Sequence, residues 1–275
     1  MYIKEHVMLK KFTALVLGFL IISLCGCSPD QPQKSDSNTT TAQPYDVRIK
    51  FSDGLTVEEY AKVLQENNVC SAAEFLAAAN APECDYWFLR EIQNPQNRPF
   101  LLEGYLYPDT YDFSYNSDAR TVIRKFLDNF DKKITDAYKS RAKELDYSID
   151  EILTIASIVR EEATDTELKN VSSVIHNRLN SDYGKLECDV TIFYLNNHVK
   201  PYTDDISHFK ALYNTYDVKG LPEGPITNVS TAAIDAALYP ADSDYYFFVY
   251  DENRNYYYAE TWAEHSSNVK KYYKK

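Results

Sequence analysis

The chain has 275 residues, 44% of them hydrophobic and 25% charged, with a formal net charge of −12 at pH 7. That apolar content supports one good core, alone or with a small appendage, and excludes a chain that is disordered throughout. The acidic balance argues against a nucleic-acid or anionic-lipid partner, because phosphates would repel it.

The first 27 residues read as an export signal. Lys4, Lys10 and Lys11 are its positive region, and Phe12 to Leu24 is an apolar run ending at Leu24-Cys25-Gly26-Cys27. The run is short for a membrane span, which needs roughly 20 apolar residues. Leu24, Gly26 and Cys27 have the spacing of a bacterial lipobox, which predicts cleavage before Cys27 and lipidation of its thiol. An uncleaved anchor is the alternative. Both readings put the rest of the chain at the extracytoplasmic face of the cell membrane, facing the wall. Residues 28–45 hold almost no apolar side chains and many Ser, Thr, Gln and Pro, so they read as a tether. Cys70, Cys84 and Cys188 lack metal-ligand spacing, and neither a metal nor an organic cofactor is expected. A Cys70–Cys84 disulfide is chemically feasible in an oxidising compartment, with two ordinary thiols as the other reading.

Regular structure begins at Tyr45. Val47 to Phe51 alternates as a half-buried strand does, and Asp53-Gly54 marks a turn. Thr56 with Glu59, then Ser71 with Glu74, have the spacing of capping boxes and open two short helices. After Pro95 and Pro99, residues 101–111 are dense in tyrosine and predict strand and loop. Carboxylates among tyrosines, such as Glu103 and Asp109, suit a sugar site, in which rings stack on apolar sugar faces and carboxylates accept from hydroxyls. A loop in which Asp109 caps its own turn is an equal reading. Residues 118–144 read as one scaffold helix, with Val122, Phe126, Phe130 and Ile134 at helical intervals.

Ser148 and Glu151 form another capping box, opening a helix with Ile152, Ile155, Ala156 and Val159 on its core face. At about 100° per residue, Glu162 falls between Ile155 and Ile158 at the edge of that stripe, while Glu161 points away and Arg160 lies on the opposite flank. Of the adjacent glutamates, only Glu162 is placed to enter a partly dry pocket, where desolvation raises a carboxyl's pKa and suits it to protonate a glycosidic oxygen. A boundary glutamate held in a salt bridge is the competing reading. Residues 167–180 predict a further helix, at whose end Asn177 either contacts an N-acetyl sugar or closes the helix. Ser-His catalysis lacks motif support, and with seven glycines the chain has no phosphate-cradling loop.

Several blocks then follow in order: Glu103-Gly104 through Tyr111, Ala156-Ser157-Ile158-Val159 through Glu162, Asn177-Arg178-Leu179, Leu186 to Thr191, Tyr213-Asn214-Thr215-Tyr216, Gly220-Leu221-Pro222 and Gly224-Pro225-Ile226. Over about residues 46–270 they resemble the MltG/YceG-like family. The resemblance implies an α+β fold in which a small LysM-like module, residues 46–95, packs on a catalytic domain, residues 96–275, of helices with a mixed or antiparallel sheet. Residues 1–26 would be the signal and 27–45 the tether. It further implies an endolytic lytic transglycosylase that cuts peptidoglycan strands between N-acetylmuramic acid and N-acetylglucosamine, leaves 1,6-anhydro ends and works beside the elongating peptidoglycan synthases. Glu162 matches the catalytic glutamate. Glu103, Asp109, Asn177, Asp189, Thr191, Asn214, Thr215 and Tyr216 match positions expected to line the cleft. The family usually has glutamate at Arg160, Gln at Glu187, Ser or Thr at Cys188 and Pro-Gly at Val229-Ser230. Arg160 is expected to alter a salt bridge off the catalytic face, whereas Glu187 and Cys188 lie nearer the groove, where they could shift specificity or mark decay. The rival reading is an inactive glycan-binding lipoprotein. A solute-binding lipoprotein would need a larger, two-lobed chain.

Overall fold

The computed structural model describes residues 46–273. The expected signal, the tether and Cys27 lie outside the described residues. Among the described residues, no helix is long and apolar enough to cross a membrane.

Strand β1 (Asp46–Lys50) leads through the turn at Gly54, whose φ is +88°, into α1 (Val57–Glu66) and α2 (Ala72–Asn80). Both expected capping boxes are formed: Thr56 accepts from the Glu59 N–H and Ser71 from the Glu74 N–H, with each glutamate reaching back to the cap backbone. β1 pairs antiparallel with β2 (Thr110–Ser114), setting Val47 opposite Phe113 and Ile49 opposite Tyr111. Phe51 and Tyr60 stack with ring centroids 4.4 Å apart, and Phe126, on the next helix, meets Phe51 edge-on at 5.1 Å.

This aromatic core draws on residues from both sides of position 95. The partner of β1 lies beyond it, and α2 packs on α3 (Ala119–Lys133), so the core begun by residues 46–95 continues past that position. Two short helices and one strand bury too little apolar surface alone. They complete their core with residues up to the end of α3.

The single helix expected over 118–144 is two, α3 and α4 (Asp136–Glu144). Ile134 adopts an extended conformation, and the Thr135 side chain accepts from the Tyr138 N–H and caps the second helix. The apolar periodicity runs across the break. A threonine that satisfies the next helix's free N–H groups offers the backbone an alternative to continuing.

α5 (Ile149–Glu162) is the central element. Ile152 through Val159 are all buried, and the helix packs most extensively on α9 (Thr231–Leu238) and then on α6 (Leu168–Leu179). A short α7 (Asp189–Tyr194) runs into a π-helical turn at residues 195–199 and is followed by α8 (Ser207–Tyr213). The chain closes with an antiparallel hairpin, β3 (Phe247–Tyr250) and β4 (Tyr256–Ala259), and helix α10 (Trp262–Tyr272) packed on it. The architecture is thus helical with two small antiparallel sheets.

Two of the sequence blocks meet in the interior. Gly104 has a φ of +88°, and a Cβ there would lie 2.5 Å from Cγ of Pro225, so the Glu103-Gly104 block and the Gly224-Pro225 block touch where only glycine fits. Asn228 joins them. Its Oδ1 accepts from the Gly104 and Leu106 N–H groups, and its Nδ2 donates to the Leu55 carbonyl and to Glu103.

Candidate active site

A cleft of about 480 Å³ opens at the C-terminal end of α5. Glu162 ends that helix because Ala163 turns extended, and the phenol of Tyr256 on β4 donates to the Glu162 carbonyl at 2.6 Å. A helix end leaves carbonyls unpaired. Here the hairpin supplies a donor, and so fixes its own position relative to the glutamate. The opposite wall is the segment Leu186–Val190 with Phe193 and Tyr216. Phe247 to Tyr250 and the α10 residues Trp262 and His265 complete the enclosure.

The Glu162 side chain is largely withdrawn from water, and its pKa is raised to about 7. Burial is the main cause, with the negative charge of Asp189 adding to it. A hydrogen bond from the Val190 backbone N–H and the guanidinium groups of Arg178 and Arg254 act in the opposite sense. The negative end of the α5 dipole works in the same direction as burial. The carboxyl therefore keeps its proton much closer to neutral pH than an ordinary glutamate does, which is the condition for a general acid.

The Asp189 loop is built from behind. The Cys188 N–H donates to Thr215 Oγ1 at 2.9 Å, Thr191 Oγ1 donates to the Cys188 carbonyl at 2.9 Å, and the Glu187 N–H donates to the Thr215 carbonyl at 3.1 Å. Glu187 takes a left-handed φ of 49° and accepts from the Tyr183 hydroxyl. The Tyr216 hydroxyl then donates to Asp189 at 2.8 Å across the opening. Asn214 shapes this loop, accepting from the Tyr216 N–H and donating to Asp217.

The expected site residues thus fall into three groups. Glu162, Asp189 and Tyr216 line the cleft. Thr191, Thr215 and Asn214 hold the loop from behind it, and Asn177 ties α6 to the hairpin approach by donating to the Ser243 and Tyr245 carbonyls. Glu103 and Asp109 lie elsewhere. Glu103 is buried, accepts from the Val57 N–H and from Asn228, and has its pKa pushed well above the usual carboxylate range by burial. Asp109 accepts from the Thr110 N–H and from Asn129, with Lys133 nearby, which matches the turn reading.

Arg160 faces away from this cleft and pairs with Asp165 at 2.6 Å and Asp53 at 3.7 Å. Glu187 and Cys188 are in the cleft wall. The Cys188 thiol is buried, which pushes its pKa well up, and Cys70 and Cys84 are free thiols, so the disulfide is not formed. Sequence reasoning missed several cleft residues: Arg178, whose side chain donates to the Tyr246 and Leu186 carbonyls, the exposed rings of Phe193 and Trp262, and His265, whose Nδ1 lacks a partner. Phe193 and Trp262 are 57% and 64% exposed. An aromatic residue on the polar side of a helix was the available signal. A larger cavity, of about 890 Å³, lies between α2 and the start of α3 and contains none of the expected site residues. Among the described residues, no group of three or more His, Cys, Asp or Glu is arranged to hold a metal ion.

Comparison with known proteins matches the chain to the YceG-like family model over residues 32–271. It is 28% identical over 249 residues to an endolytic murein transglycosylase of Bacillus subtilis (strain 168), covering 85% of this chain and 67% of that protein. It is 32% identical over 228 residues to an endolytic murein transglycosylase of Streptococcus pneumoniae serotype 2, covering 80% of this chain but 40% of the relative. The crystal structure of a YceG-like protein from Listeria monocytogenes superposes with a TM-score of 0.67 at 29% identity, covering 80% of this chain and 75% of that one.

Proposed function

The chain belongs to the YceG-like family, and on that premise we propose that it is an endolytic lytic transglycosylase of peptidoglycan with Glu162 as its acid and base. The observation that carries the reading is the Glu162 carboxyl, raised to about pKa 7, at the end of a buried helix in a cleft walled by aromatic rings. The bond cut is the one between C1 of N-acetylmuramic acid and the oxygen of the following N-acetylglucosamine. Protonated Glu162 gives its proton to that oxygen as the bond breaks. The resulting carboxylate takes the proton from the muramoyl 6-hydroxyl, whose oxygen bonds to C1 and closes the 1,6-anhydro ring. The proton returns to Glu162, and no water is consumed.

One carboxyl serves both steps, where most glycosidases need two. The rest of the cleft suits the role. Exposed rings offer stacking surfaces for sugar faces, and Arg178 and Arg254 favour the carboxylate formed halfway through the cycle. In the cell, lipidated Cys27 would hold the enzyme at the outer face of the membrane, and the tether would let it reach nascent strands beside the peptidoglycan synthases and end their elongation.

Asp189 shares the cleft, so a water-using hydrolase with two carboxylates is the reading to exclude. Mass spectrometry of products released from purified peptidoglycan, by the full-length chain in detergent and by its Glu162→Gln variant, decides. Fragments ending in 1,6-anhydro-muramic acid that vanish in the variant are expected. Reducing ends would identify a hydrolase, and no release by either protein would leave a glycan-binding lipoprotein.

A further inference from the structure

The wall opposite Glu162 is the first part of α7, where Asp189 and Phe193 line the cleft and the Val190 N–H bonds the Glu162 carboxyl. Thr191 anchors the start of this helix through its bonds to the Cys188 carbonyl and to Thr215. The far end has no such local anchor. α7 is six residues long and runs on as a π-helical turn and then a 3-10 turn over Lys200–Tyr202. A helix so short is not stable by itself, and π-helical turns are rare and recur at functional sites. The order of the segment has to come from elsewhere in the fold.

Two buried carboxyls that the chemistry does not use supply it. Glu58, in the first turn of α1, accepts from the Tyr202 hydroxyl at 3.1 Å and is bonded to His198 Nδ1 at 2.9 Å, with the partly exposed Lys62 as its cation at 2.7 Å. Glu103 has one oxygen filled by the Val57 N–H and Asn228, while the other accepts from the Tyr194 hydroxyl at 3.3 Å. It makes no ion pair among the described residues. Among those residues, every side-chain hydrogen bond that leaves residues 194–202 ends at Thr56, Glu58 or Glu103. Burying a carboxyl is costly, and an apolar side chain of similar size is often the more stable choice. A carboxyl offers several acceptor sites at one point, which is what converging hydroxyl, imidazole and backbone donors require.

We propose that Glu58 and Glu103 are positioning residues for the reaction: through Tyr194, His198 and Tyr202 they clamp the far end of α7 to the start of α1, and so hold Asp189 and the Val190 N–H against Glu162. The clamp works at a distance from the substrate. Val57 joins its two halves, since its N–H bonds Glu103 and its neighbour in the chain is Glu58. With both ends of α7 fixed, the wall closes over Glu162 and keeps water from it, which is the main cause of that carboxyl's raised pKa. The inference rests on the reading of Glu162 as the acid.

The test follows the Glu162 carboxyl by carbon NMR in the full-length chain in detergent, its signal assigned by loss in Glu162→Gln. It is titrated in the wild type and in the double variant Tyr194→Phe, Tyr202→Phe. That variant removes two hydroxyls but keeps both rings, Tyr194 beside Tyr213 at 5.9 Å and Tyr202 beside Phe100 at 5.6 Å. A slackened α7 admits water to Glu162 and withdraws Asp189, and both changes lower its pKa. Loss of the Val190 bond acts the other way and is the smaller effect. The titration midpoint is therefore expected to fall by about half a pH unit or more. Turnover of purified peptidoglycan should drop about 10- to 100-fold, in kcat rather than KM. Each single substitution is titrated in the same way, as a milder variant should the pair fail to fold. A merely structural role would lower the thermal midpoint and leave the Glu162 titration in place. An unmoved or raised titration midpoint, or kcat within twofold of wild type, would overturn the clamp. The titration needs no turnover, so a wild-type chain that cuts nothing would overturn the transglycosylase reading and leave this test standing.

Discussion

Replacing Glu162 by glutamine should stabilise the protein at alkaline pH while abolishing its chemistry. An isolated glutamate has a pKa near 4.5, and in the fold Glu162 is raised to about 7. The folded state thus binds this proton more tightly than the unfolded chain does. The stabilisation is fully present below about pH 4.5 and is lost as pH rises through 7. At about 1.4 kcal/mol per pKa unit, ionising Glu162 costs the fold at most ~3 kcal/mol at pH 8. Glutamine imitates the protonated form and escapes that cost. Thermal unfolding of wild type and Glu162→Gln at intervals from pH 4 to pH 9 should give coincident midpoints at the acid end. They should diverge through neutrality to roughly 6–12 °C in favour of the variant, from about 2–4 °C per kcal/mol for a protein of this size. Other titrating groups are common to both proteins, so the difference isolates Glu162. A constant offset across the pH range, or none, would refute the claim that the fold raises this carboxyl.

With the same carboxyl as general acid, kcat/KM should be level below neutrality and fall about tenfold per pH unit above about 7, with pH-rate profiles as the check. Asn228→Ala should cost about 3 kcal/mol or more in denaturant unfolding, since it strips partners from Glu103 and from the Gly104 and Leu106 N–H groups in the interior. Gly104→Ala should be similarly damaging, because a Cβ there meets Pro225 and φ is positive. Among the described cysteines, timed alkylation followed by peptide mass spectrometry should modify Cys84 first. Burial pushes the Cys70 thiol to about 11 and the Cys188 thiol well above its usual range, leaving both slow until the protein unfolds.

Local chemistry was legible in the sequence. Each capping box joins residues three apart, so Thr56, Ser71 and Ser148 announced their helices whatever the rest of the fold did. The angle of Glu162 on α5 likewise depends only on helical periodicity, and the cleft opens at that edge of the helix. Periodicity could not show the break at Ile134 and Thr135, because the apolar stripe continues across it.

Long-range pairing decided the rest. β1 finds β2 about sixty residues away, and that pairing, with the packing of α2 on α3, ties the first segment to the body of the protein. Glu103 and Asp109 look alike in sequence, two carboxylates among tyrosines, yet one is enclosed by Asn228 and the Val57 N–H while the other sits in a turn beside β2. A carboxylate's role follows from what surrounds it, and those neighbours arrive from distant parts of the chain. The aromatic wall formed by Phe193, Phe247 and Trp262 has the same origin: each ring belongs to a different element, and only their packing around the end of α5 makes them one surface. The sequence by itself determined the helix that presents the acid, whereas the tertiary structure decided the dryness, the charges and the rings that give that acid its proton at neutral pH.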